Sequence, residues 1–196
     1  MLMVENDPAA VERDLLGGAL RCPSCGEGVL GPWWYARKRI LRDGQALRPR
    51  RARCRAPSCR VTHVLLFDVC LLRRRDSVEV IGAALAAGVT RGEHHEAIGV
   101  RLAVPGQTVC GWLRRLRRLA EAICSHFTRW LVAIAPGEPL PKASGLASRD
   151  ALEAIGAACR AASLRLADRL PWSWASRLSA GRLLVCNSSS IWPSPE

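Results

Sequence analysis

Two pairs of cysteines lie close together at 22/25 and 54/59, with no cysteine between the pairs. A metal shared by all four would force 28 intervening residues to leave one point and return to it. Cys22-Pro23-Ser24-Cys25-Gly26 is a C-x2-C knuckle ending in glycine. Four thiolates on two knuckles hold Zn²⁺ tetrahedrally and stabilise a segment too small for a core of its own. Cys22, Cys25, Cys54 and Cys59 are therefore expected to bind Zn²⁺. The second pair has four residues inside it where two are usual, so His63 is kept as a substitute ligand. Buried free thiols are the alternative, since cysteine is a common core residue.

Between the pairs, Trp33-Trp34-Tyr35 precedes Arg37, Lys38 and Arg39, an Asp43-Gly44 turn follows, and arginines recur from Arg48 to Arg53. Aromatic residues around an Asp-Gly turn predict a β-hairpin. The charge is concentrated here. The chain carries a formal +12, and residues 21–75 hold 14 basic and three acidic groups. Such a stretch is the electrostatic footprint of a polyanion-binding surface. The candidate phosphate contacts are Arg37, Arg39, Arg50, Arg51, Arg53, Arg73, Arg74 and Arg75. For the last three, a solvated basic linker is the alternative.

A second constraint is the break at Ala103-Val104-Pro105. Ile98 and Leu102 share a helical face before it, and Gly99 leaves room for a neighbouring helix. Pro105 suits the first turn of a new helix. Val109, Trp112, Leu113 and Leu116 then return at helical spacing, leaving Gln107, Thr108, Cys110, Gly111, Arg114, Arg115 and Arg118 off the buried stripe. Small and hydrogen-bonding residues at a helix start, with arginines a turn later, suit a helix that reads base edges and holds phosphates. An ordinary helical hairpin inside a core remains the alternative.

Ile98-Gly99-Val100-Arg101-Leu102, then Pro105, Thr108-Val109 and Trp112-Leu113-Arg114-Arg115, is similar to the helix-turn-helix of many bacterial transposases and their accessory proteins. That family usually has glycine after the leucine, in a left-handed conformation; Ala103 stands there instead, at a cost of about 1 kcal/mol. Cys22-Pro23-x-Cys25-Gly26, Trp33-x-Tyr35-Ala36-Arg37-x-Arg39, Arg48 to Cys54, Val61 to Leu66 and Leu71 to Asp76 resemble uncharacterised bacterial proteins that join a zinc ribbon to a helix-turn-helix. These in turn are similar to the N-terminal DNA-binding part of insertion-sequence transposases. The resemblance covers roughly residues 20–135. It implies DNA binding, and it makes Pro57 with one neighbour an insertion in the second knuckle.

The remaining elements follow from local signals. Asp7 and Pro8 start a helix over 7–17 whose apolar face is Val11, Leu15 and Leu16. Val64 to Leu72 is a buried strand or an extended link. Asp76 with Glu79, and Thr90 with Glu93, have capping-box spacing, and Gly88 is expected to end the first of these helices. His94 and His95 point too far apart to share one ion and read as surface residues. Leu116, Ala120, Ile123, Phe127, Trp130 and Ile134 continue a seam that packs on its own domain or on a second copy in a homodimer. Residues 136–149 are rich in Pro, Gly, Ala and Ser and read as a linker. Ser148 or Asp150 caps a tail helix faced by Leu152, Ile155, Cys159, Ala162 and Leu166; the last residues read as loose.

The expected fold is mainly α: an N-terminal arm (1–20), a zinc-ribbon hairpin (21–72), a three-helix, homeodomain-like helix-turn-helix with a long last helix (73–135), the linker, and a helical tail (150–196). The acidic N-terminus lacks a signal peptide's basic-then-apolar order, so a cytoplasmic protein is expected. Asp43, Asp68, Asp76, Glu79, Glu93, Glu96, Glu121, Glu138, Asp150, Glu153 and Asp168 do not mark the ends of central strands, and no nucleotide loop or nucleophile motif is present. A non-enzyme is expected: a sequence-specific double-stranded DNA binder, as mobile-element accessory factor or transcriptional repressor. The rivals are an RNA-binding ribbon stacking bases on Trp33, Trp34 and Tyr35, and a non-catalytic scaffold or transposase remnant.

Overall fold

The computed structural model describes residues 1–185; the loose end expected for the tail falls outside them. The described residues form a mixed fold with a helical majority, six helices and six strands in the order β1 (Leu2–Val4), α1 (Pro8–Gly17), β2 (Leu30–Tyr35), β3 (Arg39–Ile40), β4 (Ala46–Leu47), β5 (Arg50–Cys54), β6 (Thr62–Phe67), α2 (Val78–Thr90), α3 (His95–Leu102), α4 (Gly106–Ile134), α5 (Ala147–Arg165) and α6 (Pro171–Leu178). None of these helices is long and apolar enough to cross a membrane.

The N-terminal half is built on a four-stranded sheet in the order β1-β6-β5-β2. β5 pairs antiparallel with both β2 and β6, while β1 joins the far edge parallel to β6, with Met3 opposite Leu66. The apolar run from Val64 thus becomes the second half of β6. β1 makes the N-terminus part of this sheet instead of a separate arm: Met3, Val4, Val11 and Leu15 are buried with Leu30, Ala52, Leu65 and Phe67 in one core. α1 is capped as expected, the Asp7 carboxylate accepting from the Ala9 N–H at 2.8 Å, but Leu16 faces solvent. The Asp43-Gly44 turn closes a small separate hairpin, β3 with β4, inserted in the chain between the paired strands β2 and β5.

A second core holds the helices. Val109, Trp112, Leu113 and Leu116 of α4 are buried with Ile81, Leu85 and Ile98, and Ile123, Phe127 and Leu131 are buried with Ile155, Cys159 and Ala162 of α5. Each such side chain contributes about 1.5–3 kcal/mol when fully buried, so the α4 seam is anchored within the chain. The tail folds back on α4 across residues 136–146, which have no regular structure; of its expected face, Leu166 is exposed.

Several helix ends differ from expectation. Ser77, not Asp76, caps α2, its hydroxyl accepting from the Val80 N–H at 3.3 Å. Asp76 is drawn away by Arg42, whose Nε lies 2.5 Å from Asp76 Oδ1. α2 runs past Gly88 to Thr90, so Thr90 ends that helix instead of opening the next. A Cβ at Gly88 would lie 2.6 Å from Leu113 Cδ2, so packing keeps the glycine inside the helix. Glu93 pairs with Arg91 and Arg101. α5 starts at Ala147, one residue before Ser148; Asp150 accepts instead from the backbone N–H and hydroxyl of Ser144.

The two cores meet along a polar seam. Ser176 Oγ donates to Cys70 O at 2.6 Å, and Leu72 N–H to Gly181 O at 2.8 Å. Arg169 and Arg177 both donate to the buried Asp68 carboxylate. Burial pushes the Asp68 pKa up and the two guanidiniums oppose it.

Candidate metal centre and cationic surfaces

Cys22, Cys25, Cys54 and Cys59 come together. Their sulfurs all lie within 4.8 Å of one another, close enough to hold a metal ion. The Cys22–Cys59 and Cys25–Cys54 separations are both 3.8 Å. A tetrahedral ion with metal–sulfur bonds of about 2.3 Å gives edges of about 3.8 Å, which these two separations match. Gly28 makes room for it. A Cβ there would stand 2.4 Å from Cys54 Sγ and 3.3 Å from Cys25 Sγ, while the Gly28 N–H donates to Cys25 Sγ.

The wide spacing of the second pair has a specific cause. Ala56-Pro57-Ser58-Cys59-Arg60 repeats the order of Cys22-Pro23-Ser24-Cys25-Gly26, with alanine in the first cysteine's place. Both segments close the same turn, Gly26 N–H donating to Cys22 O and Arg60 N–H to Ala56 O. Both end in a left-handed residue, Gly26 at φ +71° and Arg60 at φ +50°. The missing sulfur comes from Cys54, two residues upstream at the end of β5. Pro57 is therefore part of the knuckle and not an insertion. His63 lies beside the cluster instead of in it, Nε2 3.4 Å from Cys22 Sγ.

Burial works against ionisation at Cys22, but the backbone N–H groups of Ser24 and Cys25 and hydrogen bonds with His63 and Cys54 outweigh it and lower the thiol to about 6. Burial pushes Cys54 up to about 12, and the proximity of Cys22 adds to this. The Cys22 thiolate forms readily in this pocket while Cys54 and Cys59 are pushed the other way, so a cation held among the sulfurs would favour their ionisation.

On α4, Gln107, Gly111, Arg114, Arg115 and Arg118 line one solvent-facing hollow of about 370 Å³. The positions follow helical spacing, and no acid is among them. Thr108 and Cys110 flank this face half-buried. α3 and α4 approach closely at its start, because Gly99 lies against Val104 O and Gly106.

The other candidate arginines divide. Arg37, Arg51, Arg73 and Arg75 are exposed. Arg39 Nη2 donates to Arg74 O at 2.5 Å and to Leu71 O. Arg50 pairs with Glu12 at 2.5 Å and donates to Trp33 O. Arg53 Nε donates to Arg60 O at 3.2 Å, and Arg74 Nη2 to Leu184 O at 2.6 Å. These four hold the fold together as well as adding charge. Arg55 and Arg60 were not singled out in the sequence, and Arg48 only as the start of an arginine run, yet all three are exposed in the segments flanking β5. Only their place in an acid-poor run marked them. Of the two histidines on α3's start, His94 is exposed and His95 lies 3.4 Å from Glu96.

Comparison of the chain with protein families, with curated proteins and with solved structures finds no match.

Proposed function

We propose that the chain is a zinc-stabilised protein that binds double-stranded DNA without acting as an enzyme. Zinc is the ion best suited to four cysteine sulfurs at tetrahedral spacing, and the two knuckles with the β5–β6 pair would form a zinc ribbon. α3 and α4 would form the helix-turn-helix. The observation that carries this is the exposed face of α4, where Gln107 and Gly111 precede Arg114, Arg115 and Arg118 while the opposite face is core. A helix anchored on one side and cationic on the other can enter a major groove, its small first turn at the bases and its arginines at phosphates. Arg37, Arg51, Arg73 and Arg75 add phosphate contacts. The main buried acids support a binder over an enzyme: Asp68 and Asp76 are each held by arginine. A role as mobile-element accessory factor or repressor follows from the family resemblance alone.

Selection of binding sites from random duplexes, followed by titration of the recovered site at several salt concentrations, tests this. A single enriched sequence is expected, with Arg114→Ala and Arg118→Ala each lowering the salt slope by about 1. No enrichment, and no duplex binding at low salt, would overturn it.

A further inference from the structure

We propose that the exposed edge segment Trp33-Trp34-Tyr35 of β2 is a second nucleic-acid surface, one that stacks the unpaired bases of a single strand. It goes beyond the duplex reading and does not depend on α4. β2 and β5 are in register from Leu30 opposite Cys54 to Pro32 opposite Ala52, and then Tyr35 faces Arg50. Trp33 and Trp34 together oppose Arg51 alone. This is a β-bulge, a device that re-aims side chains. Without it, two adjacent strand residues would point to opposite faces. On this edge strand Trp33, Trp34 and Tyr35 are all exposed, at 42%, 71% and 57%, with the Trp33 and Trp34 rings 6.2 Å apart.

Three consecutive exposed aromatics are costly to leave in water, and such a patch marks an interaction site. These are also interleaved with cations. Arg53 lies over the Trp33 ring at 5.0 Å, and Arg50 over Tyr35 at 4.4 Å with Arg48 at 5.8 Å. A hollow beside Trp33 is lined by Arg53, Arg55 and Arg60. Residues 28–67 contain ten basic groups and one acid, Asp43. An apolar protein partner would leave these charges unmatched, and a duplex would hide its base faces. A single strand supplies both complements at once, phosphates for the arginines and ring faces for the aromatics. A metal held by the four cysteines would stiffen this segment, because Cys54 ends β5 and lines the same hollow.

The test uses the full-length chain and fluorescein-labelled oligothymidylate of about 15 nucleotides. An abasic strand of the same length carries equal charge without rings. The oligothymidylate is expected to bind at least about tenfold tighter than the abasic strand. The double variant Trp33→Ala/Trp34→Ala should lose that advantage while keeping its metal content and duplex affinity. Arg114→Ala/Arg118→Ala should do the reverse, weakening duplex binding and sparing the single strand, so that failure of one surface is told apart from failure of the other. An oligouridylate arm assigns the strand: tighter binding than oligothymidylate points to RNA through the 2′-hydroxyl, equal or weaker binding to DNA. Equal binding of abasic and base-bearing strands would overturn the proposal. So would unchanged single-strand affinity in the double tryptophan variant, or polyglutamate binding as tightly as oligothymidylate.

Discussion

The α carbon of Gly99 faces the carbonyl oxygen of Val104 so closely that a Cβ on Gly99 would stand 2.6 Å from it. The obstacle is backbone, with Gly106 N next at 3.0 Å, so no side-chain rotation relieves it. Gly99→Ala must push the first turn of α4 away from α3. A loss of about 1–3 kcal/mol is expected, read as a lower midpoint in chemical denaturation. An unchanged midpoint would mean that the two helices are not held at this separation.

Ala103 predicts the opposite sign. It sits at φ +53°, ψ +40°, the left-handed C-cap of α3, where a Cβ costs about 1 kcal/mol. It is exposed, so removing its methyl loses little packing. Ala103→Gly should raise stability by up to about 1 kcal/mol, a shift of a few degrees in thermal unfolding. A fall in midpoint would show that the entropy gained by the unfolded chain outweighs the relieved strain.

What could be seen from the residues alone depended on how many jobs one residue type can do. Cysteine pairs have few, and all four candidate ligands meet. The close approach at Gly99 was equally visible, whereas the left-handed conformation at Ala103 was expected only through the family resemblance, because an alanine carries no local sign of it. Arginine was ambiguous: Arg50 and Arg51 are neighbours, yet one reaches Glu12 while the other is exposed. Cap positions slipped where two residues competed, as when Arg42 took Asp76 and left Ser77 to cap α2. β1 was illegible because three residues, Leu2–Val4, are too few to show a period. The tail's docking on α4 was one of two ways to bury the same seam, and the choice lies in tertiary packing.

His126 gives a pH dependence. It is fully buried on α4, and its Nε2 donates to Leu178 O at 2.9 Å, tying α4 to the end of α6. Burial lowers its pKa below 6.5, and nearby Arg129 acts in the same direction, against the Leu178 hydrogen bond. The unfolded chain therefore takes up a proton at a higher pH than the folded one. Stability from this residue is fully present above about pH 6.5 and is lost as pH falls toward the folded pKa. His126→Gln keeps a donor without a titrating ring. The stability difference between wild type and variant should be constant from about pH 8 to pH 7 and shift toward the variant by about pH 5. A difference independent of pH would contradict a neutral buried His126.

Metal removal is expected to act on one core and not the other. Cys22 and Cys54 are buried in the sheet core, with Cys25 and Cys59 packed against it, whereas the helical core contains none of the four. Stripping an ion from this site would leave crowded sulfurs with nothing to neutralise them and release both knuckles from each other. The helical core retains its own buried aliphatics, among them Ile81, Leu116, Ile123 and Phe127. The junction is mainly polar, with Ser176–Cys70, Arg42–Asp76 and the pairs of Asp68 with Arg169 and Arg177, and carries only small apolar contacts such as Ala180 on the sheet core; at about 0.5–3 kcal/mol for each hydrogen bond, it is weaker than the helical core it adjoins. A strong chelator should therefore raise amide exchange across β2, β5 and β6 while α4 and α5 stay protected and far-UV helical signal persists. Collapse of both halves in one step would show that the junction couples them more tightly than its bonds account for. Unchanged exchange in β5 would show that the four cysteines hold no structural ion.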